Sequence, residues 1–376
     1  MSRVFSYWEF QHYLSHIDVC IIGSGIVGLN AGIELLEKKP GLKVLIIERS
    51  YIPYGASTRN AGFACFGTAS ELLSELETSS EEEVFGLFAQ RYSGIQELLK
   101  RVPADSMNYE KYGGNEAFAN NNIPSEEQLH YLNTRINEYI GIQNYFQFDK
   151  SRLKDSSLLN FSALIHNEHE ACINPMMMID VLQRKFQNLG GLILSNAELS
   201  HWKDIESHVE LHINQSYKTQ SKKIIFATNG FAQIQFPQID IKAARNQVMV
   251  IEANHPIILK GCYHYNMGYV YFRSVDRKLL IGGGRHIDKE SEFTDSMEIN
   301  PTIKSYLLEF VKEHILPDEN FRIINHWVGI LGLGTHRSPV IEKISENCII
   351  AVRLSGIGVA IGTIVGKKAA LIALQS

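Results

Sequence analysis

Three glycines near the start of the chain have the spacing of a phosphate-binding turn. They lie in DVCIIGSGIVGLNAGIELL, residues 18–36, where Gly23, Gly25 and Gly28 separate two apolar runs. In such a turn the first glycine allows the sharp bend, the second lets the backbone approach a pyrophosphate, and the third lets the helix pack closely on the sheet. The start of the helix adds unpaired N–H groups and the positive end of its dipole. The spacing predicts that a dinucleotide binds here.

An acidic residue stands at the position of a ribose-binding carboxylate. Residues 19–22 are predicted as a buried strand, residues 29–39 as a helix, and LKVLIIE, residues 42–48, as the next strand. Glu48 therefore closes a β-turn-α-β unit, 20 residues after the third glycine. An acid at this point accepts hydrogen bonds from a ribose diol and disfavours a 2′-phosphate, which argues against NADP. The unit does not decide between NAD and FAD.

The next segment resembles a known flavoprotein family. ERSYIPYGASTRNAGFACFG, residues 48–67, is similar to the loop that follows the ribose acid in D-amino-acid-oxidase-type (DAO) FAD-dependent oxidoreductases, the family that includes glycine oxidase and gamma-glutamylputrescine oxidase. The matching positions are Gly55, Ala56, Ser57, Arg59, Asn60 and Gly62. In that family the loop runs along the pyrophosphate and ribityl chain. The resemblance therefore implies FAD.

Further motifs extend the resemblance over nearly the whole chain. Asn174–Pro175 is similar to the start of a family helix, residues 227–230 (ATNG) to a strand-turn near the cofactor, and residues 245–250 (RNQVMV) to a strand that enters the substrate lobe. SGIGVAIGTIVGKKAALIAL, residues 355–374, is similar to the closing motif that faces the flavin's pyrimidine edge. The residues expected to contact FAD are Gly23, Ser24, Gly25, Ile26, Val27, Gly28, Glu48, Arg49, Ser57, Thr58, Arg59, Asn60, Ala61, Gly62, Leu199, Ala227, Thr228, Gly230, Gly356, Ile357, Gly358 and Val359.

Strand patterns and the resemblance together predict the fold class. Short alternating strands between residues 245 and 285 indicate an antiparallel sheet, whereas both ends of the chain show apolar strands, glycine turns and helices. The expected fold is α/β: a Rossmann-type FAD-binding domain assembled from discontinuous segments, with an inserted antiparallel β-rich substrate domain (the glutathione-reductase-like FAD/NAD(P)-binding fold of the DAO type). We assign residues 1–102, 158–234 and 322–376 to the FAD-binding domain. Residues 103–157 and 235–321 form the predicted substrate domain.

The sequence departs from the family pattern at three charged positions. Ile357 replaces the usual histidine of the closing motif, Leu280 stands where sarcosine-oxidase-like members carry a lysine, and Ile330–Leu331 stand where glycine oxidases carry a carboxylate-binding arginine. A simple α-amino acid held by the usual arginine is therefore less expected than an amine or a modified amino compound, but another arginine could bind a substrate carboxylate. The candidates are Arg245, Arg273, Arg285 and Arg337. No cysteine lies between Trp327 and Pro339, where the sarcosine oxidase branch tethers its flavin, so FAD is expected to bind noncovalently.

The substrate pocket is expected to be aromatic. Tyr269 and Tyr271 share one face of a predicted strand because strand side chains alternate, and His264 and His286 are polar candidates for the same cavity. The residues expected to act on the substrate are Arg337, Tyr269, Tyr271 and Arg285. The resemblance implies oxidation of a C–N bond of an amine or amino acid, with hydride transfer to flavin N5 and hydrolysis of the imine to a carbonyl compound. The alternatives are FAD-dependent oxidation of a 2-hydroxy acid and a non-catalytic binding protein on the same fold.

Composition narrows the class of partner. The chain has 376 residues, a formal charge of −5 and no basic face, so nucleic acid is not an expected partner. Five separated cysteines predict neither a metal site nor a disulfide framework and favour the cytoplasm, and the first 17 residues have no signal-peptide pattern. Only 13 residues separate Arg353 from Lys367, fewer than the roughly 20 of a membrane span. The electron acceptor is left open between O2 and an electron carrier, as is the oligomeric state.

Overall fold

The computed structural model describes residues 5–119, 122–156, 158–317 and 320–375. The strands are β1 Ile17–Ile22, β2 Val44–Glu48, β3 Phe63–Ala64, β4 Gly114–Phe118, β5 Gln147–Phe148, β6 Ala163–Asn167, β7 Ala171–Cys172, β8 Leu192–Ser195, β9 Leu199–Ile205, β10 His208–Ile213, β11 Tyr217–Phe226, β12 Lys242–Ala253, β13 Cys262–Tyr265, β14 Val270–Val275, β15 Lys278–Gly283, β16 Phe321–Leu333, β17 Val340–Lys343 and β18 Cys348–Val352. The α-helices are α1 Tyr7–Glu9, α2 Ile26–Lys38, α3 Ala56–Arg59, α4 Ala69–Leu76, α5 Glu81–Arg101, α6 Glu126–Ile140, α7 Lys150–Asp155, α8 Pro175–Asn188, α9 Pro301–His314 and α10 Gly358–Leu374.

The first sheet has a parallel centre with buried strands. Its main order is β17-β18-β11-β1-β2-β8. In addition, β10 pairs antiparallel with β11, and β9 pairs antiparallel with β10. β1 runs parallel to β2 and to β11, and β11 runs parallel to β18. Every residue of β2 and β18 is buried, as expected for a parallel sheet covered on both faces. The predicted β-turn-α-β unit is therefore confirmed as β1, α2 and β2.

The second sheet is largely antiparallel, as predicted for the β-rich part of the chain. Its order is β16-β12-β15-β14-β13-β4-β6-β5, with one parallel pair between β13 and β4. Neighbouring positions on successive strands form a row across this sheet. The row consists of Glu116, His264, Tyr271, Gly282, Val248 and Trp327. Because paired residues project to the same face of a sheet, these side chains share one surface.

Strand pairing differs from the predicted domain boundaries at two strands. β6 and β16 pair in the second sheet, whereas residues 158–234 and 322–376 were assigned to the FAD-binding domain. β16 pairs antiparallel with β12 along its full length. This long-range pairing places β16 in the second sheet, although the local sequence pattern of strand, glycine turn and helix favours the first. Residues 1–4 and the boundary residue 157 lie outside the described residues.

Two helical features differ from the predictions. From the sequence, Ser79 with Glu82 three residues later predicts a capping box at the start of a long helix. The helix, α5, begins one residue later, after Ser80, and Glu83 completes its capping box. α6 was not predicted, although it starts with a capping box between Ser125 and Gln128. Its apolar residues pack into the core cluster that also contains residues of α2 and α5, while the sequence had placed this segment in the substrate domain. Among the described residues, no helix is long and apolar enough to cross a membrane.

A glycine in α5 allows this helix to cross α10 at close range. A Cβ atom at Gly94 would lie 1.9 Å from the backbone oxygen of Ala360. We expect Gly94→Ala to lower the free energy of unfolding by about 1–3 kcal/mol, because the obstructing atom belongs to a helix backbone. Gly86→Ala, on the same helix with nothing within 4 Å, should instead raise it by about 0.5–1 kcal/mol. Urea unfolding of both variants measures the difference, and equal stabilisation would contradict the close crossing.

Candidate functional site

A continuous cavity of about 1240 Å³ lies between the glycine turn and the face of the second sheet. Pockets for drug-sized ligands usually measure about 300–1,000 Å³, so the cavity has room for a large cofactor and a small substrate. Its walls come from the end of β1, the end of β2, the loop at residues 53–61, the start of α10, and β14 and β16. The cavity therefore joins the two sheets at the place where the predicted FAD-binding residues lie.

The glycine turn is built as its spacing predicts. Gly23 has a φ of 102°, which favours glycine, and its N–H donates to the carbonyl of Ile47 at 2.9 Å. A Cβ atom at Gly28 would lie 2.0 Å from the carbonyl oxygen of Gly23, so α2 is packed directly against the turn. A Cβ atom at Gly25 would meet only the Ser57 side chain, with Oγ at 2.8 Å. Gly25 thus leaves an open approach to the first turn of α2.

Glu48 is held in a fixed orientation at the edge of the cavity. Its Oε2 accepts hydrogen bonds from the backbone N–H of Ser24 at 3.1 Å and from the Ser24 hydroxyl at 2.8 Å. Its Oε1 accepts from the backbone N–H of Ser50 at 3.1 Å. The carboxylate is buried and lines the cavity. Ser24 is therefore a residue that orients the acid.

The loop after β2 faces the first turn of α2. The hydroxyl of Ser57 accepts the N–H of Ile26 at 3.0 Å, and the Asn60 carboxamide bonds the backbone around it, including the N–H of Gly62 at 2.8 Å. The guanidinium of Arg59 donates to the carbonyl of Val328 in β16. The loop is thereby anchored to both the first helix and the second sheet.

Most of the predicted cofactor residues line the cavity. Those that do are Gly23, Gly25, Ile26, Val27, Glu48, Arg49, Ser57, Arg59, Asn60, Ala61, Leu199, Ala227, Thr228, Gly356, Ile357, Gly358 and Val359. Those that do not are Ser24, Gly28, Thr58, Gly62 and Gly230. These five lie next to residues of the wall. For example, Gly230 packs against the backbone of Leu331, and the hydroxyl of Thr58 donates to the carbonyl of Pro53.

The start of α10 closes one side of the cavity. Gly356 has a φ of 87° and Ile357 is the N-cap residue of the helix. Ile357 is buried and apolar where the family usually has a histidine, so no side chain at this position transfers a proton. The hydroxyl of Ser355 is buried and has no hydrogen-bond partner within the described residues. This orphaned group and the free helix start fit a polar ligand edge.

The second sheet supplies an aromatic wall. Tyr271 contacts Phe63 edge to face, with ring centroids 5.7 Å apart, and Phe63 contacts His264 in the same way at 5.3 Å. All three line the cavity. Burial raises the pKa of the Tyr271 hydroxyl, so the phenol is neutral at physiological pH. Leu280, where sarcosine-oxidase-like proteins carry a lysine, packs with Ala61 against this wall.

The four arginines proposed as carboxylate ligands have different surroundings. Arg245 is buried in an ion pair with Glu292 at 2.6 Å, and Arg273 donates to the carbonyl of Ile173 at 2.9 Å. Neither lines the cavity. Arg337 and Arg285 line it, but Arg337 is already paired with two carboxylates. Arg285 has no carboxylate within 4.0 Å in the described part of the chain, and its guanidinium lies 5.9 Å from the ring centroid of Tyr269.

The carboxylates around Arg337 were not predicted from the sequence. Glu71 bonds its guanidinium directly and Glu75 lies 2.9 Å from it. Burial lowers the pKa of Arg337, but the two glutamates outweigh this effect and raise it above its ordinary value. Glu71 also lines the cavity. Its only sequence signal is the capping box Thr68–Glu71, which predicts a helix start and not a site.

His264 is also surrounded by carboxylates. Its Nε2 lies 3.7 Å from Oε2 of Glu170. Burial lowers the pKa of the imidazole, but Glu170, Glu71 and Glu116 outweigh burial, so that this pKa lies above its ordinary value. His286, the other predicted histidine, contacts the rings of Tyr269 and Tyr306 and does not line the cavity. The structure thus brings His264 and not His286 into the wall.

Comparisons with known proteins agree with this architecture. A family model described as DAO, FAD dependent oxidoreductase, matches residues 18–371. The chain is 25% identical over 372 residues to the probable oxidoreductase OrdL of Haemophilus influenzae, covering 94% of this chain and 82% of that protein.

Two solved structures have the same fold. An L-α-glycerophosphate oxidase from Mycoplasma pneumoniae with FAD bound has a TM-score of 0.76 at 18% identity, covering 96% of this chain and 95% of that chain. A glycine oxidase from Geobacillus kaustophilus has a TM-score of 0.74 at 16% identity, with the same coverage of 96% and 95%. The predicted fold class and the resemblance inferred from the motifs are confirmed.

Proposed function

Because the chain belongs to the DAO family of FAD-dependent oxidoreductases, we propose that it oxidises the C–N bond of an amine or amino acid. The observation that carries the proposal is the environment of Arg285. This guanidinium lines the aromatic end of the cavity and has no carboxylate partner within the described residues. Burial lowers the pKa of Arg285 by more than the nearby Tyr269 and Glu292 raise it, which is the effect expected when a cation loses water without forming a direct ion pair. A substrate carboxylate would compensate this charge.

The residues of the cavity fit FAD. The open approach at Gly25 and the first-turn N–H groups of α2 would receive the pyrophosphate, and Glu48 would accept the ribose hydroxyls. The start of α10, where the Ser355 hydroxyl has no hydrogen-bond partner within the described residues, would face the flavin ring. The side-chain oxygen of Asn246 lines the same space and has no hydrogen-bond partner in the described chain. When bound, FAD supplies a two-electron acceptor for the carbon next to the substrate nitrogen.

The protein's own residues would orient and dehydrate the substrate. Arg285 would bind the carboxylate by charge-assisted hydrogen bonds. Tyr271 and Phe63 would exclude water from the reacting carbon. Because a dry wall disfavours the charged form of an amine, it lowers the pKa of the substrate ammonium and favours the free amine that the reaction needs. The imine product is then hydrolysed by water to a carbonyl compound.

Arg337 is not assigned to the substrate. Since Glu71 and Glu75 already neutralise it, we assign the substrate carboxylate to Arg285 and expect Arg337 to hold α4 against the cavity. We keep O2 or an electron carrier as the acceptor, a cytoplasmic location and noncovalent FAD as predictions. Mass spectrometry of the denatured holoenzyme would test the last of these, because a noncovalent flavin leaves the polypeptide mass unchanged.

An anaerobic titration tests the proposed reaction. The yellow holoenzyme is mixed with a panel of amines, amino acids and 2-hydroxy acids while the visible flavin band is recorded. We expect an amine or amino acid to bleach the band, because the aromatic wall favours a neutral amine and Arg285 can bind a carboxylate. Bleaching by hydroxy acids alone would overturn the proposal in favour of C–O oxidation. A protein that purifies colourless and does not take up FAD would indicate a binding role, and readmitted air distinguishes an oxidase from a dehydrogenase.

A further inference from the structure

His264 is a titratable side chain of the cavity wall. Its two ring nitrogens face different surroundings. The residue is only 8% exposed. Its Nε2 lies 3.7 Å from Oε2 of Glu170 and has no hydrogen-bond partner within the described residues. This arrangement favours the neutral tautomer with the proton on Nε2, since that N–H faces the carboxylate. The lone pair is then on Nδ1.

Nδ1 faces a space that a glycine leaves open. Gly268, with a φ of 73°, follows β13, and a Cβ atom on it would lie 3.9 Å from Nδ1 of His264 and 3.8 Å from Oε2 of Glu71. All three residues line the cavity. With no side chain on Gly268, Nδ1 of His264 and the Glu71 carboxylate border the same part of the cavity.

Glu170 is anchored independently of the histidine. Its Oε1 accepts the N–H of Phe66 at 3.0 Å, and its own N–H donates to the side-chain oxygen of Asn167 at 3.1 Å. The carboxylate is 1% exposed and bonds no arginine or lysine in the described chain. Its negative charge is therefore available to His264, the nearest group that can become a cation.

We infer that His264 accepts the proton leaving the substrate nitrogen, with Glu170 stabilising the imidazolium that results. This inference rests on the proposed function. In the step, an N–H bond of the substrate ammonium breaks, its electron pair stays on nitrogen as the lone pair of the free amine, and the proton forms a bond to Nδ1. Glu71, Glu116 and Tyr271 face the imidazole from α4, β4 and β14.

The surroundings bring the pKa of the His264 imidazole and the pKa of the substrate ammonium closer together. Burial lowers the pKa of the imidazole, but the surrounding carboxylates outweigh it and hold that pKa above the usual value, whereas desolvation lowers the pKa of the substrate ammonium. Proton transfer between groups of similar pKa is efficient near the operating pH. Because the base works only when unprotonated, the rate must rise as the pH rises through the pKa of His264 and level off above it.

NMR titration of the histidine ring protons in the oxidised holoenzyme, without substrate, tests the pair directly. The His264 signal is identified as the one missing from His264→Asn. We expect its pKa to lie above the usual imidazole value and to fall in Glu170→Gln, which retains an oxygen for the N–H of Phe66. An imidazole pKa that is the same in Glu170→Gln and in the wild type would overturn the pairing.

The pH dependence of flavin bleaching by the best amine tests the proton transfer. We expect the wild-type rate to fall about tenfold per pH unit below the pKa of His264, and Glu170→Gln to move this limb to lower pH. His264→Asn should replace this limb with one that follows the pKa of the substrate ammonium, and should slow bleaching by about 10²-fold near neutral pH. His326→Asn is the control, because His326 lies on the same sheet but outside the cavity lining. It should keep the wild-type profile.

The outcomes separate this inference from the proposed function. If amines bleach the wild type and His264→Asn keeps the same acid limb and rate, His264 is not the base, while amine oxidation stands. If no amine bleaches the wild type at any pH, the proposed function fails and the inference fails with it.

Discussion

Gly25→Val should yield a folded protein that has lost most of its FAD. Gly25 has a φ of −75° and a ψ of −176°, an extended conformation that valine adopts without strain. Its Cβ would lie 2.8 Å from the hydroxyl of Ser57, which would have to give up the N–H of Ile26. The branched side chain would also fill the approach to the first turn of α2. We expect FAD to bind about 10²-fold more weakly, which corresponds to about 2.7 kcal/mol.

The measurement is the FAD content of the purified variant, followed by fluorescence titration of the apoprotein with FAD. Circular dichroism and urea unfolding of the apoproteins show whether the fold is retained. Gly86→Ala is the control, because that glycine is remote from the cavity and has open space around it. A yellow Gly25→Val protein with wild-type affinity for FAD would refute the binding mode.

Arg285→Met should weaken reduction by a carboxylate-bearing substrate by about 10²-fold while leaving the protein yellow. Removing one partner of a desolvated charge pair costs about 2–5 kcal/mol, and methionine retains much of the apolar volume of the side chain. Arg285→Lys should recover part of the loss, since lysine keeps the charge but not the planar set of donors. A simple amine without a carboxylate should be affected much less. The ratio of the two effects identifies the group that Arg285 binds.

Stopped-flow bleaching under anaerobic conditions gives both the rate and the apparent dissociation constant. Arg322→Met is the control, because Arg322 is exposed on β16 and pairs with Glu252 at 2.6 Å. Arg337→Ala should also weaken reduction without loss of colour, but less than Arg285→Met, because its guanidinium is neutralised by protein carboxylates. Unchanged kinetics in Arg285→Met would remove this residue from the site.

The end of the cavity formed by the glycine turn was largely predictable because its signals are local. Gly23, Gly25 and Gly28 act within one turn, where a bend, an approach and a packing contact each require the absence of a side chain. Glu48 follows at the end of the neighbouring strand. Such short-range steric and hydrogen-bonding requirements leave a spacing that can be recognised without knowledge of the rest of the chain.

The substrate half was only partly predictable because its chemistry depends on distant partners. The sequence offered four arginines as carboxylate ligands and placed only Arg337 and Arg285 among the residues that act on the substrate. The surroundings of all four are known only once the fold brings Glu292 to Arg245 and α4 to Arg337. Arg337 and Glu71 are 266 residues apart in the chain. No spacing rule specifies a contact over such a distance, since it depends on how two sheets and a helix pack.

The sequence by itself therefore determined the class of protein, the cofactor and the order of the binding motifs. Tertiary structure decided which cavity arginine forms no ion pair with a carboxylate of the described residues, which histidine reaches the cavity, and which strands complete the second sheet. The physical reason is that backbone geometry at a turn is set by the residues in that turn. The charge state and exposure of a side chain are set by everything that packs around it.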